Sequence, residues 1–144
     1  MATQGQQMTR PTVSESSART IVAGALTSAT ALSLRITVVV VDESGVLKAM
    51  ARMDGAPLVS VQTATSKAYA AAAIGLPPDD FYNAIKSDAA AVASFGTRPG
   101  LALIAGGVPI TVDGQVAGGI GVAGALTGAE DRQIAEAALA ASGS

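Results

Sequence analysis

The 144-residue sequence contains no cysteine, no histidine and no tryptophan, and its aromatic residues are two tyrosines and two phenylalanines. Without cysteine the chain has no thiol nucleophile, thiolate metal site, iron–sulfur cluster or disulfide. Without histidine it has no Ser-His-Asp triad and no imidazole-ligated zinc. These absences exclude the commonest nucleophilic and metal-dependent mechanisms, and they leave the redox compartment unspecified. The spacing of the remaining residues predicts no metal site.

Charge is also scarce, at 14% of residues with a net charge of −2. Nucleic-acid binding needs a basic face, so nucleic acid is not an expected partner. No run approaches the roughly 20 apolar residues that cross a membrane as a helix, so a membrane partner is not expected either. Residues 1–10 are polar and do not resemble a signal peptide, and we therefore expect a cytoplasmic protein.

Small residues are abundant instead, with 31 alanines and 16 glycines. The length suits one domain, which we place at residues 12–144 behind a flexible polar tail at residues 1–11. Small side chains bury little area each, at about 25 cal/mol per Å², but they let helices and strands approach closely. Association is one way to bury more surface, so we expect a homo-oligomer.

Hydrophobic periodicity and turn signals predict an α+β fold. The predicted elements are a helix from Thr12 or Ser14 to about residue 32, strands at 35–41 and 46–53, helices at 60–74, 77–84 and 88–93, strands at 101–104, 108–112 and 115–123, and a last helix from Thr127 or Gly128. Hairpin turns at residues 42–45 and at Asp113-Gly114 indicate a largely antiparallel sheet.

The glycine-rich run at residues 118–124 lies inside a predicted strand. A dinucleotide-binding fingerprint requires a preceding strand and an immediately following helix, and this run has neither. Glycine within a strand indicates close approach by another backbone, a helix or a ligand. Two interpretations therefore stay open, which are packing and a flat floor for a ligand.

Three cations are candidates for binding an anionic ligand. Arg52 ends a strand, Lys67 lies in an alanine-rich helix, and Arg98 lies in a Gly/Pro loop beside Phe95. A guanidinium suits a bidentate carboxylate contact, and a lysine packed against a sheet could bind an anion. The alternative for each is an ordinary surface residue, with the Lys67 stem covering apolar surface.

Acid/base chemistry has candidates too, namely Asp54 after the second strand and Glu130 beside Asp131 at the last helix. Either carboxylate could act as a general base, together with Lys67. The alternatives are a turn cap for Asp54 and favourable helix-start electrostatics for Glu130. Tyr69 and Tyr82 are helix residues suited to packing, and they are also among the few oxygen ligands available for iron.

A set of short motifs resembles the GlcG/HbpS-like haem-binding family, whose relatives include the C-terminal domain of PduO-type corrinoid adenosyltransferases. The motifs are Arg52-Met53-Asp54-Gly55-Ala56, Ser66-Lys67-Ala68, Phe95 with Gly100, Gly106-Gly107-Val108-Pro109-Ile110, Asp113-Gly114 and the run at residues 118–124. The resemblance spans about residues 14–141. It implies a profilin-like, five-stranded antiparallel sheet flanked by helices, assembly into homo-oligomers, and binding of haem or a corrinoid.

Two hypotheses of function follow, and the resemblance favours the first of them. In the first, the chain binds haem or another tetrapyrrole, with Arg52, Lys67 or Arg98 on the propionates and with Gly106, Gly107 and Gly121 close to the ligand. Haem-binding members have a histidine near the start that is missing here, so iron would be held by Tyr, Met or Lys, or by no protein ligand.

In the second hypothesis the chain is a cofactor-independent enzyme that acts on a small organic acid. Arg98 or Lys67 would hold the substrate carboxylate, and Asp54 or Glu130 would move a proton.

Overall fold

The computed structural model describes residues 4–143. In chain order its elements are a 3-10 turn at Gln4–Gln6, α1 at Glu15–Ala31, β1 at Thr37–Asp42, β2 at Leu47–Arg52, α2 at Val59–Ile74, α3 at Pro78–Ile85, α4 at Ala89–Gly96, β3 at Gly107–Val112, β4 at Gln115–Ala123 and α5 at Gly128–Ser142. The α+β class and the single domain are confirmed. The predicted ends of the helices and strands lie within three residues of the observed ends, except for the strand predicted at residues 101–104.

The four strands found in the described residues form one antiparallel sheet in the order β2-β1-β4-β3. Two hairpins, β1–β2 and β3–β4, are joined through the pairing of β1 with β4. The expectation of five strands is wrong, because residues 101–104 form no strand. Gly100 and Gly106 both have a positive φ, so the chain turns at each end of this segment and does not extend along the sheet.

Helices α1 and α5 cover one face of the sheet. Ser14 caps α1 by accepting a hydrogen bond from the Ser17 amide, and Thr127 and Glu130 form a capping box at α5. The buried side chains of both helices recur every three or four residues and meet Val38, Val40, Ile120 and Val122 of the sheet. This layer contains the larger hydrophobic core.

Helix α2 covers the other face, and it lies directly on the glycines of β4. A Cβ atom at Gly121 would overlap the Ala64 carbonyl oxygen and the Ala68 amide nitrogen, and one at Gly119 would overlap the Ala68 carbonyl. The glycines leave room for a helix backbone, which favours the packing interpretation of residues 118–124.

The segment from α3 to α4 is held to the domain by few contacts. Phe81 and Phe95 pack edge to face at 5.0 Å, and Arg132 of α5 forms ion pairs with Asp79 and Asp80 of α3. The hydrogen bond from Arg132 lowers the pKa of Asp80. Helix α4 has no buried residue.

The predicted flexible tail, residues 1–11, lies partly outside the described residues, and its flexibility stays a prediction. The chain joins the core at Val13, whose amide donates to the Ala117 carbonyl oxygen at 3.0 Å. Within residues 4–143 no helix is both long and apolar enough to span a membrane.

The close approach of α2 to β4 predicts that Gly121→Ala lowers the free energy of unfolding by about 1–3 kcal/mol, since the new methyl group must displace the helix backbone. Gly96→Ala is the matched control, because a Cβ there meets no atom within 4 Å. Urea denaturation of both variants measures the effect. Equal stability of Gly121→Ala and the wild type would contradict this packing.

Candidate functional site

Lys67, a residue predicted to bind ligand, is part of α2, and its side chain lies in the protein interior rather than at the surface. Its side chain is only 3% exposed, and its Nζ donates to Asp131 Oδ2 and to the Val122 carbonyl oxygen, both at 3.0 Å. The other carboxylate oxygen of Asp131 accepts a hydrogen bond from the Ala125 amide at 3.0 Å. The pair joins α2 on one face of the sheet to α5 on the other.

Burial raises the pKa of Asp131, and the positive charge of Lys67 and the Ala125 amide act in the opposite direction. Gly106 and Gly107 lie against the same lysine. A Cβ at Gly106 would come within 2.6 Å of Lys67 Nζ, and one at Gly107 would meet the Lys67 backbone. Lys67, Gly106 and Gly107, which are all predicted to bind ligand, therefore contact one another in the protein interior. Their contact with a ligand stays a prediction.

The two arginines of the predicted site lie at the surface. Arg52 donates through Nε and Nη2 to the Ala56 carbonyl oxygen, at 3.2 and 2.9 Å, which fixes the guanidinium at the end of β2. Arg98 lies 4.3 Å above the centre of the Phe95 ring, a cation–π contact.

The three residues predicted for acid/base chemistry do not lie together in one site. Glu130 accepts hydrogen bonds in the capping box of α5, and Lys67 is held by Asp131. Asp54 lines a separate cleft near the end of α1. Within the described residues no hydrogen bond or ion pair joins any two of Asp54, Glu130 and Lys67.

Strand β2 exposes large apolar side chains on the sheet face that carries α2. Leu47 and Met50 pair across the sheet with Val41 and Val39, which pack under α2, yet their own side chains are 54% and 41% exposed. Helix α2 lies over β1, β4 and β3, so the β2 part of this face stays open.

The flank of α2 beside this open face is exposed as well. It carries residues spaced three and four apart, which are Leu58, Gln62, Thr65 and Tyr69. We call this flank together with Leu47 and Met50 the α2 groove.

A cleft opens at each end of the α2 groove. One, of about 570 Å³, is lined by Leu58, Val59, Val61 and Gln62. The other, of about 240 Å³, is lined by Tyr69 with Thr65, Ser66, Gly45, Pro99 and Gly100. The groove therefore runs along the helix with an apolar end and an end that carries a phenol.

The arginines mark the two ends of the α2 groove. Arg52 pairs with Thr37, whose hydroxyl meets that of Ser60 in the first turn of α2, and Arg98 precedes the Pro99-Gly100 wall of the Tyr69 cleft. Sequence reasoning found Arg52, Arg98 and Tyr69 but missed Leu47, Met50 and the apolar start of α2. The spacing of residues 58, 62, 65 and 69 was the available signal. No group of three metal-ligating side chains is present among residues 4–143.

A family model described as "Haem degrading protein HbpS-like" matches residues 13–140. The chain belongs to the HbpS-like family. It is 35% identical to the protein GlcG of Escherichia coli K12 over 114 residues, which cover 79% of this chain and 83% of GlcG.

Solved structures of the family share the fold. A crystal structure of a Streptomyces reticuli HbpS double mutant superposes with a TM-score of 0.86 at 30% identity, covering 97% of this chain and 93% of HbpS. A crystal structure described as a PduOC:heme complex superposes with a TM-score of 0.82 at 26% identity, covering 90% and 94% of the two chains. The family resemblance seen in the sequence is confirmed.

The burial of Lys67 predicts that Lys67→Met lowers the free energy of unfolding by about 3–5 kcal/mol, because it leaves the Asp131 carboxylate buried without its counter-ion. The double variant Lys67→Met/Asp131→Asn should recover much of this loss, since the amide keeps an acceptor for Ala125. Chemical denaturation of each variant is the measurement.

The exposed ion pair of Arg19 with Glu15 supplies the control. Arg19→Met should cost less than about 1 kcal/mol, because exposed pairs contribute little. If Lys67→Met costs no more than Arg19→Met, the buried pair does not join the two layers.

Proposed function

We propose that this chain binds haem or another planar, anionic tetrapyrrole, and that the ligand lies in the α2 groove. The observation that carries the proposal is the open apolar face at Leu47 and Met50 beside the exposed flank of α2. A flat macrocycle laid there would remove apolar area from water, which stabilises by about 25 cal/mol per Å². The family description and the haem complex of PduOC support the same class of ligand.

The charges at the groove suit propionate groups. Arg52 is held by Ala56 through two of its nitrogens, and Nη1 has no hydrogen-bond partner within residues 4–143. Arg98 keeps its guanidinium at the surface above Phe95. A fixed guanidinium binds a carboxylate at lower entropic cost than a mobile one. Lys67 would act indirectly here, because it positions α2 through Asp131.

The groove also offers donor atoms suited to iron, although the chain has no histidine or cysteine. The Tyr69 side chain is 39% exposed, and its hydroxyl has no hydrogen-bond partner in the described part of the chain. Met50 presents a thioether on the same groove. Tyrosine and methionine are both known haem ligands, so the residues present fit the group. A bound haem would supply a redox-active iron beside these side chains.

The alternative of a cofactor-independent enzyme is not favoured. Such an enzyme needs a proton-transfer residue and a carboxylate-binding cation that both contact the same substrate molecule. Glu130 caps a helix and Lys67 is buried, and Asp54 lines a cleft that does not belong to the α2 groove.

A titration with haemin tests the proposal. We expect one equivalent per chain, with a Soret band unlike that of a bis-histidine complex. Tyr69→Phe should shift this band if the phenolate is the ligand, whereas Tyr82→Phe should not. Tyr82 is the matched control, because it is 40% exposed and lies on α3.

Arg52→Gln and Arg98→Gln should each weaken haemin binding about tenfold, in line with the strength of a charge-assisted hydrogen bond. Saturable binding with no dependence on either arginine or on Tyr69 would place the ligand elsewhere. Absence of any Soret shift would reject tetrapyrrole binding.

We also propose that the chain assembles into a homo-oligomer larger than a dimer. Helix α4 has the sequence AAAVASFG, carries no charge and has no buried residue. An apolar helix that its own chain covers only in part, on the side of Phe95, is suited to packing against another copy, because such patches mark association surfaces. The alanines permit close contact between helices.

Light scattering should therefore give a mass above that of two 14.1 kDa chains. Ala93→Glu should reduce this mass by placing a charge in the contact. Ala137→Glu, at an exposed position of α5, should leave it unchanged. A 14.1 kDa species at micromolar concentration would contradict the assembly.

A further inference from the structure

A third cleft lies on the opposite face of the sheet from the α2 groove. It has a volume of about 560 Å³ and is formed by the end of α1, the loop between α1 and β1, and the turn after β2. Leu26, Leu34 and Met53 line it, and these half-buried side chains pack against the core shared with α1 and α5. Its apolar wall is therefore fixed by the core.

Two opposite charges lie at the rim of this cleft. Arg35 Nη1 donates to the backbone oxygen of Asp54 at 2.8 Å, so the guanidinium lies beside the residue that carries the carboxylate. Across residues 4–143 neither side chain has an ion-pair partner, and the Asp54 carboxylate accepts no hydrogen bond. Each charge is available to a ligand.

Ser33 completes the rim in an unusual conformation. Its φ is 57°, which is a left-handed backbone conformation. This conformation is unfavourable for any residue that has a side chain. The amides of Ser33 and Leu34 donate to the Thr30 and Ala29 carbonyl oxygens and hold the end of α1 in this turn. A left-handed residue just past the end of a helix is a common way for an α-helix to terminate, and here it leaves Ser33 and Thr30 lining the cleft.

We propose that this cleft binds a small zwitterion, namely an α-amino acid with an apolar side chain. The ligand carboxylate would meet Arg35, its ammonium group would meet Asp54, and its side chain would lie on Leu26, Leu34 and Met53. The unpaired acid makes the cleft unsuited to a dianion such as haem. The inference is therefore independent of the tetrapyrrole proposal.

NMR titration of the full-length chain with L-leucine tests the inference. Saturable shifts should centre on the amides of residues 26, 30, 33–35, 53 and 54. N-acetyl-L-leucine lacks the ammonium group and L-leucine methyl ester lacks the carboxylate, so each should bind at least tenfold more weakly.

Single substitutions test the roles of the Asp54 and Arg35 charges separately. Asp54→Asn should weaken L-leucine binding about tenfold or more and leave N-acetyl-L-leucine unchanged, and Arg35→Gln should do the same for L-leucine with the methyl ester unchanged. Asp113→Asn and Lys86→Gln, which alter exposed charges elsewhere, serve as controls.

Two results would overturn the inference. One is the absence of shifts in these residues at millimolar L-leucine, as expected if Arg35 and Asp54 pair with each other in solution. The other is equal binding of leucine and its singly charged analogues. Haemin titration of Asp54→Asn should match that of the wild type, so failure here leaves the tetrapyrrole proposal standing.

Discussion

The direct contact of α2 with the glycines of β4 is the constraint on which the rest of the structure depends. Without a Cβ at Gly119 and Gly121, the backbone of the helix lies on the backbone of the strand. This closeness brings the Lys67 ammonium group past the end of β4 to Asp131 of α5. The ion pair then links the two helical layers around one sheet, and its cost of desolvation is offset by two further hydrogen bonds.

The same contact decides where the surface is open. A helix seated on β4 covers its two neighbours, β1 and β3, but does not reach β2 at the edge. The sheet therefore ends in a strand whose face on the α2 side is apolar and uncovered, and this face is bordered by the exposed flank of the helix. The candidate site is a consequence of how small residues in the middle of the sheet place the helix.

Most of the fold could be predicted from the sequence, because periodicity and turn residues are local signals. Strand β4 was predicted with both its ends correct, and both hairpins were found from their turn residues. The role of Lys67 could not be predicted in this way. A lysine among alanines gives the same pattern whether it reaches solvent or a carboxylate 64 positions later in the chain. The strand predicted at residues 101–104 was wrong, because the glycines on either side of this segment turn the chain.

The pairing of β1 with β4 has a consequence for how the protein folds. Each hairpin is local and can form within its own stretch of chain, but the sheet is complete only when Thr37 meets Ala123. All of α2, α3 and α4 must be held in one closed loop at that moment, which carries a large entropic cost. High contact order of this kind slows folding, so the docking of the two hairpins should limit the rate. Until then, the four valines of β1, a run of high β-propensity, lack their partner strand β4.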